Sequence, residues 1–209
     1  MLQLAVFLGN PGIKYKRNRH NAGWMLADAI DNLEPRPFSS PLHWQKKFKS
    51  LYACVDNFHF LKPQSYMNLS GEPAQAAASF YKIKLDEIIV VHDEIELPFG
   101  TLSLKFGGGL GGHNGLRSMK AIFGSADFWR LRIGIGRPDG RMPGKGGNPQ
   151  SSLEAGIADW VLSDFTAAEK EALAPVLKTG SELLAQALAA GPDTLLPQWA
   201  KKKCLANID

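Results

Sequence analysis

Two short, continuous apolar runs constrain the fold of this chain more than any other feature. Leu4–Leu8 ends just before a Pro-Gly turn, and Ile88–Val91 is followed directly by His92 and Asp93. Apolar runs of this length without polar alternation are typical of strands that are buried on both faces of a sheet. The chain is therefore predicted to contain a sheet that is covered by helices on both sides.

The other segments show either the strand period or the helix period. We predict a hairpin of Phe48–Val55 and Phe58–Leu61, and further strands at Thr101–Phe106 and Trp129–Ile135. The predicted helices occupy the segments 24–33, 74–81, 116–123 and 167–190. This pattern predicts an α/β fold, a three-layer αβα sandwich around a mixed, largely parallel sheet.

Length and composition limit the organisation of the chain. The 209 residues suit one domain, residues 1–209, with a mobile basic loop expected at 140–152 and a basic C-terminal tail at 198–209. No signal-peptide pattern or bilayer-length apolar stretch is present, and Cys54 and Cys204 are expected to be free thiols. A cytoplasmic location without membrane contact is therefore expected. The net charge of +4 permits a polyanionic partner.

Polar side chains follow the two apolar runs. Asn10 comes after the first run and Asp93 after the second, while His20 and Asn21 precede the first predicted helix. Open α/β sheets bind ligands at the carboxyl ends of their strands, so these side chains are expected to share one crevice. A carboxylate fixes the tautomer of an imidazole, which makes His20 a candidate general base and Asp93 its orienting group. The alternative is that Asn10 is a turn residue, Asn21 a helix cap and Asp93 part of a solvated turn.

Two loops contain further candidates. Lys62–Gly71 includes Met67 and Asn68, and the glycine-rich stretch Lys105–Gly115 includes Asn114. The asparagines either cap helices or present amides to a ligand, and Met67 either packs in the core or lines a site. The glycines allow close approach of the backbone to an anion. They also contain a G-x-G-x-x-G pattern, which leaves a dinucleotide-binding oxidoreductase as an alternative function.

Some classes of chemistry have no support in the sequence. The five histidines show no ligand pair at helical spacing, so no metal is expected. No Gly-x-Ser-x-Gly elbow is present, and neither cysteine has the context of a nucleophile. If the chain is a hydrolase, the candidate nucleophile is a water molecule activated by His20.

Several segments together resemble the bacterial peptidyl-tRNA hydrolase family over roughly residues 1–190. The matching segments, in chain order, are Gly9–Gly12, Tyr15, Arg19–Gly23, Lys62–Gly71, His92–Glu94, Leu97-Pro98, the glycine stretch as far as Leu116, and Arg130–Pro138. Several motifs in the expected order are far more specific than any one of them.

The resemblance implies a compact α/β sandwich that hydrolyses the ester between a peptide and the 3′ ribose of a tRNA. It implies His20 as general base and Asp93 as its orienting group. Substrate would be bound by Asn10, Tyr15, Met67, Asn68 and Asn114. Phosphate of the tRNA would be held by Lys105 and by an arginine of the Arg130/Arg132 strand, of which Arg132 is our choice. The family also implies a monomer, and no cofactor is expected.

Besides the oxidoreductase, two further alternatives to this enzyme function stay open at the level of sequence. Non-enzymatic RNA-binding proteins of chloroplast intron splicing share the fold and most of the motifs, although the His20/Asp93/Asn68/Asn114 set argues for an enzyme. In the second alternative, the glycines form turns and the asparagines cap helices, without any site.

Overall fold

A computed structural model describes residues 1–138 and 156–204 of the chain. These residues include eight strands of one sheet, whose bounds are Leu4–Phe7 (β1), Gln45–Lys47 (β2), Ser50–Val55 (β3), Phe58–Pro63 (β4), Ile88–Glu94 (β5), Thr101–Phe106 (β6), Trp129–Gly134 (β7) and Lys202–Lys203 (β8). The order across the sheet is β2-β3-β4-β1-β5-β7-β6-β8.

The direction of the strands divides the sheet into a parallel centre and antiparallel sides. β1 pairs in parallel with β4 and β5, and β5 pairs in parallel with β7. The pairs β2–β3, β3–β4, β6–β7 and β6–β8 are antiparallel. The predicted mixed sheet is confirmed, and its parallel pairing is confined to the four central strands. The predicted β3–β4 hairpin turns at Asp56 and Asn57, whose φ angles of 51° and 65° are those of a tight hairpin turn.

The helices cover both faces of the sheet. Their bounds are Ala22–Ile30 (α1), Gly71–Tyr81 (α2), Asn114–Phe123 (α3), residues 156–161 (α4), Ala167–Ala190 (α5) and Pro192–Trp199 (α6). Two short 3-10 turns, Arg19–Asn21 and Met67–Leu69, precede α1 and α2. Among the described residues, no helix has both the length and the apolar character needed to cross a membrane.

Alternate residues of the buried strands enter two separate cores. Ala5 and Phe7 of β1 pack with residues of α1 and α5 on one face. Leu4 and Val6 pack with residues of α2 and α3 on the other face. All four side chains are buried, which explains why the strand shows no polar alternation in the sequence. The three-layer arrangement is confirmed.

Some elements differ from the sequence-based predictions. α2 begins at Gly71 and α3 at Asn114, each a few residues earlier than predicted. The short elements α4, α6, β2 and β8 were not predicted; Pro197 lies inside α6, and β2 and β8 contain only three and two residues. A basic tail was predicted at 198–209. Its described residues include the last residues of α6 and the whole of β8. The loop predicted at 140–152 lies outside the described residues.

A glycine sets the distance between the first helix and the sheet. A Cβ atom on Gly23 would lie 2.6 Å from the carbonyl oxygen of Val91 and 2.7 Å from that of Leu8. The first turn of α1 therefore touches the backbone just after the end of β1 and at Val91, the residue of β5 that pairs with Phe7. This close approach determines where the preceding turn, which contains His20, meets the sheet.

We expect Gly23→Ala to destabilise the protein by about 1–3 kcal/mol, because a methyl group at this contact forces the backbone apart. Gly109→Ala is the matched control, since no atom lies within 4 Å of its added Cβ. Urea unfolding of both variants measures the difference. If the Gly23 variant were as stable as the native protein, α1 would be able to move away from the sheet without a cost in free energy.

Candidate active site

The first two candidate residues form a buried hydrogen-bonded pair. His20 lies in the 3-10 turn before α1, and Asp93 lies near the carboxyl end of β5. The Nδ1 atom of His20 is 2.9 Å from Oδ1 and 3.0 Å from Oδ2 of Asp93. Because the carboxylate accepts, Nδ1 carries the proton, and Nε2 is the nitrogen that can accept one.

A second histidine holds the same carboxylate. The Nε2 atom of His113 is 3.0 Å from Oδ1 of Asp93, while its Nδ1 accepts hydrogen bonds from the backbone N–H groups of Gly115 and Leu116. His113 is thus the N-cap of α3 and donates from Nε2 in its neutral form. Sequence reasoning missed this residue. The available signal was a polar side chain directly before a helix start, inside the glycine stretch.

The environment shifts the pKa values of the pair in opposite directions. Burial lowers the pKa of His20, but the charge of Asp93 and the hydrogen bond to it together outweigh burial and raise this pKa above its usual value. Burial raises the pKa of Asp93, whereas electrostatic interactions with His20 and His113 and the hydrogen bonds from both side chains lower it well below its usual range. The carboxylate is therefore ionised at neutral pH.

The same three side chains have the composition of a metal site, with His20, Asp93 and His113 each offering a ligand atom within 4.8 Å of the others. A metal ligand must present a nitrogen lone pair to the ion, and its other ring nitrogen then usually donates a hydrogen bond. His113 has the opposite polarity, because its Nδ1 accepts from two backbone amides. This tautomer favours a proton-transfer site over a metal site.

Asn10 is fixed in one orientation by its neighbours. Its Oδ1 accepts a hydrogen bond of 2.8 Å from the backbone N–H of Met67. The side chain of Asn21 accepts from the Asn10 backbone N–H at 2.8 Å and donates to its carbonyl oxygen at 3.0 Å. The Nδ2 group of Asn10 is thus the part left to donate to a ligand. The Asn21 side chain thus clamps the Asn10 backbone by bonding both its N–H and its carbonyl oxygen. It caps no helix.

A cleft of about 730 Å³ brings the predicted residues together. The predicted residues that line it are Asn10, Tyr15, His20, Met67, Asn68, Asp93 and Asn114. The N-cap positions of α2 and α3 belong to Ser70 and His113, so neither Asn68 nor Asn114 has the capping role considered above.

One wall of the cleft was not anticipated from the sequence. Ile157, Ala158, Val161 and Leu162, in and directly after α4, line this side. Tyr66, Glu94, Ile95, Gly111, Gly112, His113 and Arg117 complete the lining. No signal in the sequence assigns the α4 residues to the site, because their contact with it depends on the tertiary packing of α4.

The two predicted phosphate ligands, Lys105 and Arg132, lie outside the residues that line the cleft. Arg132 contacts Glu94 at 3.7 Å and Ser103 at 2.7 Å, with 16% of its side chain exposed. The neighbouring Arg130 is buried and donates to the carbonyl oxygens of Gly108 and Gly109 at 2.9 and 2.6 Å. Arg130 therefore holds the glycine stretch in place through two hydrogen bonds. Arg132 is the more accessible of the two arginines.

The topology also decides the role of the glycine pattern. A dinucleotide fingerprint requires a parallel β-α-β unit. The stretch follows β6, which is antiparallel to both of its neighbours, β7 and β8. The oxidoreductase alternative is thus wrong for this stretch.

We expect Asp93→Asn to lower the pKa of His20 below its usual value. The substitution removes the charge that raises this pKa, whereas the opposing effect of burial stays. Titration of the His20 ring by NMR measures the shift, and Glu96→Gln is the control because that exposed carboxylate pairs with Arg137 instead. An unchanged His20 titration would show that the carboxylate does not control the imidazole.

Comparison with known proteins agrees with the site. The family model described as peptidyl-tRNA hydrolase matches residues 4–206. The chain is 45% identical to a peptidyl-tRNA hydrolase of Treponema pallidum, covering 98% of each chain. It is 42% identical to one of Nocardia farcinica, covering 90% of this chain and 91% of the other.

A solved structure shares the fold. The crystal structure of peptidyl-tRNA hydrolase from Acinetobacter baumannii has a TM-score of 0.76 and 28% identity, covering 94% of this chain and 93% of that chain. The matches in sequence and in structure extend over nearly the whole chain. The chain belongs to the peptidyl-tRNA hydrolase family.

Proposed function

We propose that this chain hydrolyses the ester bond between the peptide and the 3′ ribose of peptidyl-tRNA. The observation that carries the proposal is the buried His20–Asp93 pair, which lies in one cleft with the fixed amide of Asn10. The relatives in Treponema pallidum and Nocardia farcinica carry the name of this activity.

Water is the nucleophile in the proposed mechanism. The Nε2 atom of His20 takes a proton from a water molecule, whose oxygen attacks the ester carbonyl carbon. The resulting imidazolium gives that proton to the 3′ oxygen of the ribose as the ester C–O bond breaks. The ionised Asp93 stabilises the imidazolium and keeps Nδ1 protonated throughout. An alkoxide is a better leaving group than an amide nitrogen, so no covalent intermediate is needed.

Amide groups are the proposed donors to the developing oxyanion and to the terminal nucleotide. Asn10 has its Oδ1 occupied by the Met67 backbone, which supports a donor role for its Nδ2. Asn68 and Asn114 are exposed in the cleft on two other elements. Donors held in place before reaction need no reorganisation in the transition state.

The peptide part of the substrate is proposed to lie against the apolar side chains of the cleft. Met67, Tyr15, Val161 and Leu162 line it, and none of them carries a charge. A wall of this kind binds peptides of many sequences, because an unbranched methionine adapts to different surfaces.

Lys105 and Arg132 are proposed to hold a phosphate of the tRNA beyond the cleft. The chain carries a net charge of +4, and Lys105 lies beside Gly108 in the glycine stretch that borders the site. Phosphate contacts of this type position a nucleic acid and contribute most of the salt dependence of its binding.

An RNA-binding protein without catalysis has less support. Burying a carboxylate costs free energy unless it is paired, and the buried Asp93 carboxylate has hydrogen bonds from two histidines. A binding surface alone does not need this arrangement. We further propose that the protein acts as a monomer, as the family resemblance implies, and that it acts in the cytoplasm, where a reducing environment suits the free thiols Cys54 and Cys204.

We expect His20→Ala to lower kcat by roughly 10²–10⁴, the range for loss of a general base. An N-acetylated aminoacyl-tRNA is the substrate, and release of the free tRNA is measured. His43→Ala is the matched control, because that histidine is exposed outside the cleft lining. Full turnover by the His20 variant would refute the assignment.

We expect Lys105→Ala and Arg132→Ala each to raise the Kd for the substrate and to reduce its salt dependence by about one phosphate contact. Binding is measured by titration of the tRNA at several salt concentrations. Lys178→Ala is the control, since Lys178 is exposed on α5. A salt slope equal to that of the native protein would remove the residue concerned from the proposed phosphate site.

A further inference from the structure

We propose that Arg19 is a positioning residue that holds the catalytic turn of His20 and the α4 wall of the cleft in one fixed relation. The proposal rests on the proposed function for its catalytic consequence. The structural link itself is independent of that function.

Arg19 is buried between groups from two other elements. Only 3% of its side chain is exposed, and its Nη2 atom lies 2.9 Å from each carboxylate oxygen of Glu169, near the start of α5. The guanidinium carbon lies 3.9 Å above the Trp160 ring of α4 and 4.8 Å from the ring of Phe165. A buried, ion-paired and stacked guanidinium has one packed position, so it fixes the elements around it.

The Arg19–Glu169 ion pair connects Arg19 to the start of α5. Nε and Nη1 of Arg19 find no hydrogen-bond partner among the described residues, so the side-chain hydrogen bonds of Arg19 go to Glu169. The hydrogen bonds from Arg19 and Thr166 lower the pKa of Glu169 against the opposing effect of its burial. Glu169 also closes the N-terminal capping box of α5 with Thr166. Arg19 is thus tied to the helix start itself.

The backbone next to Arg19 is joined to the same region. The Arg19 N–H donates to the carbonyl oxygen of Ser163 at 3.0 Å, and the Phe165 N–H donates to that of Arg17 at 3.4 Å. Asn18 pairs with Asp164 as an antiparallel bridge. The residues immediately before His20 therefore run alongside the residues that follow α4.

This link connects two sides of the cleft. His20, directly after Arg19, provides the base, while Ile157, Val161 and Leu162 form the apolar wall. Trp160 holds Arg19 and also donates from Nε1 to the carbonyl oxygen of Gly136 at 2.8 Å. Any movement of the wall, and of a peptide resting on it, is thereby coupled to the position of the imidazole. Displacement by about 1 Å can cost a factor of 10² in rate.

The test compares Arg19→Met with Arg17→Met. Both arginines lie in one segment, but Arg17 is exposed and pairs with Asp164 on the surface. For the N-acetylated aminoacyl-tRNA we expect Arg19→Met to lower kcat per folded molecule by about 10–100-fold and to raise KM. Arg17→Met is expected to stay within about twofold of the native protein, since exposed ion pairs contribute little. A lowered Tm with unchanged kcat and KM would overturn the proposal.

Trp160→Leu gives a second measurement that does not alter Arg19 itself. Because both substitutions break one link, their effects on kcat/KM are expected to be non-additive in the double variant Arg19→Met/Trp160→Leu. Arg19→Lys keeps the charge but loses the planar stack, and an intermediate kcat is expected. Fully additive effects would show that Arg19 and the wall act separately.

The Nδ1 proton of His20 supplies a readout without substrate. In the native protein its NMR signal reports the hydrogen bond to Asp93, and we expect Arg19→Met to broaden or shift it, while Arg17→Met leaves it unchanged. An unaltered signal in the Arg19 variant would overturn the link. Absence of ester hydrolysis by the native protein would instead overturn the proposed function, so the two failures are distinguishable.

Discussion

The arrangement of the site depends on one buried carboxylate that accepts hydrogen bonds from two imidazoles. Asp93 lies in the sheet between His20, which follows β1, and His113, which precedes α3. Either histidine alone would leave the buried charge less compensated, and the paired charge raises the basicity of His20. Because His113 also caps α3, the same hydrogen-bond network connects the glycine stretch, the helix start and the candidate base.

The parallel centre of the sheet makes this network possible. β1 and β5 are hydrogen-bonded neighbours, so the residues at their carboxyl ends emerge side by side. The contact of Gly23 with Val91 and Leu8 brings α1, and with it the preceding turn, directly onto that edge. The other side of the cleft is formed by α4, which Arg19 and Trp160 connect to the same turn.

Local pattern was sufficient for much of the fold. The apolar run at Leu4–Leu8 and the Asp56-Asn57 turn are decided by neighbouring residues, and the structure contains both the buried strand and the hairpin. Prediction was weaker at α6 and β8, which are short and depend on pairing or packing with distant elements. Of the nine site residues derived from the sequence and the family resemblance, seven line one cleft, while Lys105 and Arg132 lie outside its lining.

By itself, the sequence determined the alternation of elements, the polar residues at the strand ends and the family to which the chain belongs. Only the tertiary structure decided that His113 shares Asp93, that Asn21 clamps Asn10, and that the side chain of Arg130 supports a loop. Periodicity and turn chemistry act over a few residues and are visible in one sequence. Hydrogen bonds between residues 20 and 93 or 19 and 169 depend on the packing of whole elements, which no local pattern records.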